Sequence, residues 1–227
     1  MNNAIIYLRR AHRFLASHLF YPVLLSSAVA VGMFAGRAYL SGNTTYLFLV
    51  WNLILAWIPF LCSLWAAGLQ RRYPGWALPI PGLAWLIFFP NAPYLVTDFL
   101  HLQPRWPVPL WYDMIMLTTF AWTGCFLAVV SLNTMQMLVK SYFGRVLSWL
   151  FVAVTLGLTG FGIYLGRFLN WNSWDLLLQP RNVLADVIIR LINPLDHLGT
   201  FGVTFFFAAF LFVCYLTFIS AQNRERV

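Results

Sequence analysis

Three short polar clusters interrupt an otherwise apolar chain, and they hold the residues best suited to chemistry. The first runs from Pro90 to His101 (PNAPYLVTDFLH); a helix resuming after Pro93 sets Asp98 and His101 three residues apart on one face. A carboxylate and an imidazole so placed can share a divalent cation, or the imidazole can carry a proton while the carboxylate orients it. They suit equally well an interfacial pair satisfied by each other and by water. The second cluster, Trp111-Tyr112-Asp113, opens another apolar run. Asp113 there is a candidate acid–base group, and it is also a favourable charge at a helix N-terminus beside an aromatic belt. In the third, Tyr164 to Asp175 (YLGRFLNWNSWD), a helix continuing outward places Arg167, Trp171 and Asp175 along one ridge. Arg167 can clamp a phosphate or carboxylate, or pair with Asp98 or Asp113. A snorkelling arginine followed by interface tryptophans is the plainer account, but the density of Asn172, Trp174 and their neighbours exceeds what anchoring needs.

These clusters need positioning, and composition says by what. Of 227 residues, 61% are hydrophobic and only 9% charged, with a mean hydropathy of +0.75. A soluble domain of this length needs more charge to cover its surface. The 11 Trp, 10 Tyr and 21 Phe suit an apolar body with aromatic belts at two interfaces. A net charge of +8 raises nucleic acid as a partner, but the basic residues lie in ones and twos between apolar runs, so no nucleic-acid role is expected. Cys62, Cys125 and Cys214 each sit inside an apolar run without CxxC spacing, which reads as packing rather than a disulfide or thiolate site. Arg9, Arg10 and Arg13 precede an apolar stretch longer than a signal-peptide core and without an A-x-A close, which predicts a retained first span.

A spanning helix takes about 20 mainly apolar residues. The pattern predicts an all-α, polytopic helix bundle forming one transmembrane domain over residues 1–227, with six spans near 19–40, 45–69, 76–96, 110–138, 147–165 and 200–220. Arg9, Arg10, Arg13, Arg71, Arg72, Lys140, Arg145, Arg224 and Arg226 all fall on one side of these spans. The positive-inside rule then puts both termini in the cytoplasm. The membrane expected is an inner or plasma membrane, or a thylakoid. Asp98, Asp113, Asp175, Asp186 and Asp196 map to the outer side, leaving only Glu225 inside.

Two elements stand apart. The third span holds Pro79 and Pro81, suited to a helix entrance, and Pro90 and Pro93, which must break or kink its outer end and free backbone groups. Between Asn170 and Gly199, Pro180 opens a helix to about residue 192. Its Val183, Leu184, Val187, Ile188 and Leu191 oppose Asn182, Asp186 and Arg190, an amphipathic helix for the outer interface. Asp186 and Arg190 can pair at i, i+4. Gly32-x-x-x-Gly36 and Gly162-x-x-x-Gly166 allow close helix approach, expected within the molecule rather than between copies.

The segments FFPNAPYLVTDFLHL, WYD and GIYLGRFLNWNSWD resemble those of a bacterial and cyanobacterial family of multispanning membrane proteins, a domain of unknown function, over the region from the second span to the last. The resemblance implies a compact helical membrane fold and an outer-side polar site at Asn91, Asp98, His101, Asp113, Arg167, Asn172 and Asp175. It implies no particular activity.

Three functions compete. In the first, Asp98, His101, Asp113 and Asp175 are catalytic or hold a divalent cation, Asp98 and His101 being the metal pair. Asn91, Arg167, Trp171, Asn172 and Trp174 bind a lipid-linked or anionic substrate from the membrane. In the second, the chain is a non-catalytic accessory or assembly subunit with other membrane subunits as partners, and its charges pair internally. Transport is third, since the spans hold almost no mid-membrane charge. A wet outer cavity containing Asp98, His101 and Arg167 favours the first; a dry, paired network favours the second.

Overall fold

The computed structural model describes residues 2–70, 72–76 and 78–224. Among the described residues there are nine α-helices: α1 (Asn2–Ser17), α2 (Phe20–Ser41), α3 (Leu47–Gln70), α4 (Pro79–Phe88), α5 (Asn91–Tyr94), α6 (Leu110–Phe168), α7 (Asp175–Leu178), α8 (Pro180–Ile192) and α9 (Leu198–Arg224). Among the described residues there is no strand beyond an isolated Arg105–Val108 bridge. Within the described residues, five stretches are long and apolar enough to cross a membrane: Phe20–Ser41, Leu47–Gln70, Pro79–His101, Leu110–Phe168 and Leu195–Gln222. The chain is therefore a polytopic helical membrane protein.

The 59-residue α6 is a hairpin. Gly144 takes φ 83° and ψ −179°, a left-handed φ that suits glycine, and splits the helix into arms 110–143 and 145–168. A straight helix of that length would run about 90 Å. Instead a chain of contacts joins its two ends: Arg167 to His101, His101 to Tyr46, Tyr46 to Arg37, and Arg37 to Asp113. The two arms of α6 are thus separate apolar rods.

The arms of α6 form the centre. The first holds most of the buried residues, including Met116, Leu117, Phe120, Leu127 and Met135, packed with Leu49, Leu53 and Phe60 of α3 and Trp85 of α4. Small residues set the closest approaches. A Cβ added at Gly124 would strike the Ala92 carbonyl, and one at Gly160 the Thr204 carbonyl of α9. Gly162 and Gly166 face Pro90 and Tyr94, so this motif serves packing inside the molecule, as expected. In the other motif, Gly36 lies against the Tyr112 hydroxyl, while Gly32 has nothing within 4 Å.

The two ends of the bundle differ in charge. Ser17, His18, Gln70, Asn133, Ser141 and Gln222 line one cavity, which gathers the start of α2, the end of α3, the α6 turn and the end of α9. Arg9, Arg10, Arg13, Arg72, Lys140, Arg145 and Arg224 therefore lie at or near that end. Arg71, Glu225 and Arg226 lie outside the described residues. The five aspartates belong to the opposite end and the segment following it.

Gly160→Leu is expected to destabilise the fold by about 1–3 kcal/mol through overpacking against α9. Gly157→Leu, where nothing lies within 4 Å of the added carbon, is expected to be near neutral. Unfolding of the two variants in detergent compares them directly.

Candidate functional site

The prolines shape the site first. Pro79 occupies the first turn of α4, where its missing N–H costs nothing. Pro90 and Pro93 interrupt the rod at residues 89–90, after which one turn of α5 passes into a 3₁₀ segment, Leu95–His101. The expected break is thus a tightening of the helix rather than a gap, and the backbone stays in the right-handed region throughout the junctions. In a 3₁₀ helix residues i and i+3 eclipse, so Asp98 and His101 stand on one edge, and both meet Arg167.

Arg167, in the last turn of α6, is the hub. Its Nη2 donates to Asp98 Oδ1, and Nε and Nη2 donate to Thr97 Oγ1 at 2.8 and 2.6 Å. Nη1 lies 3.5 Å from His101 Nδ1, and the guanidinium sits 4.5 Å over the Tyr94 ring. The other Asp98 oxygen accepts from Asn52 Nδ2 of α3 at 3.0 Å. Asp98 is fully buried and the Arg167 side chain is 12% exposed. Each charge therefore has its counter-charge and additional polar partners, which burial of an ion pair requires.

A second buried pair ties α2 to the start of α6. Arg37 Nε donates to Asp113 Oδ1 at 3.0 Å and Nη2 to Oδ2 at 3.4 Å; Nη1 donates to Ser41 Oγ and Asn43 Oδ1. Arg37 and Asp113 are 1% and 0% exposed. Tyr46 bridges the two pairs, its ring under Arg37 and Arg105 and its hydroxyl donating to the His101 carbonyl. Burial, followed by the Asp113 carboxylate, raises the Tyr46 phenol above its ordinary value, so it remains a neutral donor.

The remaining candidates part company with these. Helix α6 ends at Phe168, and Asn170 adopts the left-handed conformation (φ 58°), which asparagine tolerates. The expected ridge of Arg167, Trp171 and Asp175 therefore does not form. Asp175 instead accepts the Asn172 backbone N–H at 2.7 Å and its side-chain amide at 3.3 Å, a local turn lock. Trp171 Nε1 donates to Asp186 Oδ2 of α8, and Asp186 pairs with Arg190 as the spacing predicts. On α8 the buried residues are Val183 and Arg190, while Leu184, Ile188 and Leu191 face outward. Much of the apolar stripe is thus exposed, while Val183 is buried and Arg190 turns inward over Tyr164.

Beside the Arg167 hub lies a cavity of about 140 Å³ whose lining includes Asn52, Asn91, Tyr94, Trp171, Asn172 and Ser173. Asn91 donates to the Phe88 carbonyl and to Ser173 Oγ at 2.9 Å, holding the broken rod to the segment after α6. Asp98, His101, Arg167, Asp113, Asp175 and Trp174 are not in the lining. Asp98 and His101 do not fit a resident cation: both carboxylate oxygens are engaged, and a guanidinium lies between the groups. Among the described residues no group of three His, Cys, Asp or Glu could hold a metal ion.

Arg37, Asn52, Tyr46, Thr97 and Ser173 are the participants that sequence reasoning missed. Arg37 carried a signal, a cation inside an apolar run, which calls for a buried partner. The others are ordinary polar residues whose roles arise from cross-helix contact.

The fold and this polar network at one end of the bundle define a multi-pass membrane protein built around paired buried charges. The model of the family described as Protein of unknown function (DUF1361) matches residues 51–214. The chain belongs to that family. No curated protein and no solved structure matches it.

Arg167→Ala or Asp98→Ala, each leaving one charge buried alone, is expected to cost about 3–5 kcal/mol. The double variant Asp98→Leu/Arg167→Met is expected to recover most of that loss, as measured by unfolding in detergent. A double variant no more stable than the singles would count against the pair as the hub.

Proposed function

We propose that this chain is a non-catalytic membrane protein whose outer-end cavity binds the uncharged polar head of a membrane amphiphile. The observation that carries the reading is the contrast between the cavity and the charges beside it. The lining offers amide, hydroxyl and indole groups, whereas Asp98 and Asp113 are held in ion pairs. A carboxylate locked to a guanidinium is a poor general acid or base, because moving its proton breaks the pair. At about 140 Å³ the cavity is smaller than the roughly 300–1,000 Å³ of sites that enclose a drug-sized ligand. It admits a head group and leaves the tail along the apolar rods. Asparagine amides and the Ser173 hydroxyl offer both donors and acceptors, and Trp51 and Trp171 offer flat apolar faces, a set suited to a hydroxyl-rich neutral head such as a hexose. In this reading the end bearing Arg9 to Arg13 faces the cytoplasm, as the positive-inside rule directs, and the cavity opens towards the outer leaflet.

A second reading, an accessory subunit of a larger complex, is favoured by α9. Its apolar window is only 11% buried, against 39% for the windows of α3 and α6, which leaves Phe205, Phe206, Phe210 and Val213 on an outward face.

A photoactivatable monohexosyl diacylglycerol tests the first reading on the reconstituted protein. Crosslinks are expected in the segments bearing Asn91 and Asn172 and should fall several-fold in Asn91→Leu/Asn172→Leu. Labelling spread evenly around the bundle, or unchanged in the variant, would sink the binding site. Co-purification of α9-crosslinked membrane subunits in stoichiometric amount would favour the second reading. Exhaustive chelation is expected to leave both labelling and melting temperature unchanged.

A further inference from the structure

Helix α1 is absorbed neither by the bundle core nor by the outer-end site. It precedes the first apolar rod and turns into it at Leu19, whose backbone is left-handed (φ 55°). At 100° per residue its side chains divide into two sides from Tyr7 onward, although Ile6 falls among the arginines. Tyr7, Leu8, Ala11, Phe14 and Leu15 share one side, and Arg9, Arg10, Arg13 and His12 spread over the other. Phe14 and Leu15 pack against the hydrophobic core, so the apolar side is anchored at its C-terminal end. Further out, Tyr7 and Leu8 are 69% and 70% exposed and continue the same stripe with no protein cover. His12 Nδ1 lies 2.7 Å from the Tyr21 hydroxyl, pinning α1 to the start of α2.

Arg10, Arg13, Phe14 and Ser17 line an open groove on this helix. Ser17 also lines the adjoining cavity, whose other polar groups are His18, Gln70, Asn133, Thr134, Ser141 and Gln222. Arg9, Arg10 and Arg13 are exposed, and none makes an ion pair among the described residues. Every described aspartate belongs to the other end of the bundle or the segment following it, so nothing described there neutralises them. Three cations, an exposed apolar stripe and a fixed junction to a membrane rod form an interfacial element with an anion-binding rim.

We propose that α1 lies in the plane of the inner membrane surface and holds the phosphate of an anionic phospholipid at Arg10 and Arg13. Ser17, whose hydroxyl donates to the Phe14 carbonyl, closes the groove's inner edge, and Tyr7 and Leu8 sink among the acyl chains. The charge complements the negative cytoplasmic leaflet. This site is independent of the outer cavity and stands or falls without it.

The test uses the full chain reconstituted in phosphatidylcholine vesicles containing phosphatidylglycerol, with spin-labelled versions of both lipids reporting the motionally restricted population. Wild-type protein is expected to select the labelled phosphatidylglycerol, and raised salt should erase the selection. Arg10→Gln/Arg13→Gln should reduce it by up to about five-fold per arginine, while Arg10→Lys/Arg13→Lys should keep most of it. Arg181→Gln, at the other end of the molecule, should leave it unchanged. Full selectivity in the glutamine variant, or an equal loss in Arg181→Gln, would overturn the proposal. The exposed position of both arginines means that the glutamine variant should retain the wild-type melting temperature, which is measured alongside.

Discussion

A guanidinium and a carboxylate survive in an apolar bundle only when each satisfies the other and the surplus donors and acceptors are also taken up. The Arg167–Asp98 pair meets that condition with Thr97, Asn52, the Tyr94 face and His101. The demand reaches three rods at once, because Arg167 ends α6, Asp98 sits in the broken third rod and Asn52 belongs to α3. Each partner must arrive in register for the charge to be tolerated. The pair therefore specifies one arrangement of helix ends more sharply than apolar packing among lipid-like side chains can.

The geometry around it follows from the same need. Pro90 and Pro93 bring the third rod into its 3₁₀ stretch, which sets Asp98 and His101 on one edge facing Arg167. Gly162 and Gly166 let the second arm of α6 come close to Pro90 and Tyr94. Arg37 and Asp113 repeat the device between α2 and the first arm, and Tyr46 joins the two. With the charges consumed in this way, the polar groups left lining the cavity beside them are neutral ones, among them Asn91, Asn172, Ser173 and Trp171. At this end of the bundle the two ion pairs are buried, and the cavity beside them is lined by neutral groups.

The opposite end works by another rule. Its cations are exposed and unopposed among the described residues, so they remain available to the aqueous interface. The separation gives the molecule a charge axis, with the aspartates, three of them in ion pairs, towards one end and exposed bases at the other.

Much of this was legible in the sequence, for a physical reason. Hydrocarbon excludes unsatisfied backbone, so long apolar runs must be helices. The long apolar helices follow from that constraint, and the helix Pro180–Ile192 from its proline start and two-faced pattern. Backbone chemistry is local too, so Pro90 and Pro93 announced a break. The polar clusters were also visible as departures from apolar composition, and they do gather at one end. What only the tertiary structure decided was which of them touch. Asp113 chose Arg37 rather than the Asp98 cluster, and Asp175 stayed within its own turn. Trp171 swung to Asp186 because α6 ends at Phe168 rather than continuing. Asn52 and Thr97 became partners of buried charges, although nothing in their neighbours in the chain distinguishes them. Hydrophobicity and prolines act over a few residues and can be read along the chain. The pairing of a buried charge depends on which helix faces which, and that is settled only when the rods pack.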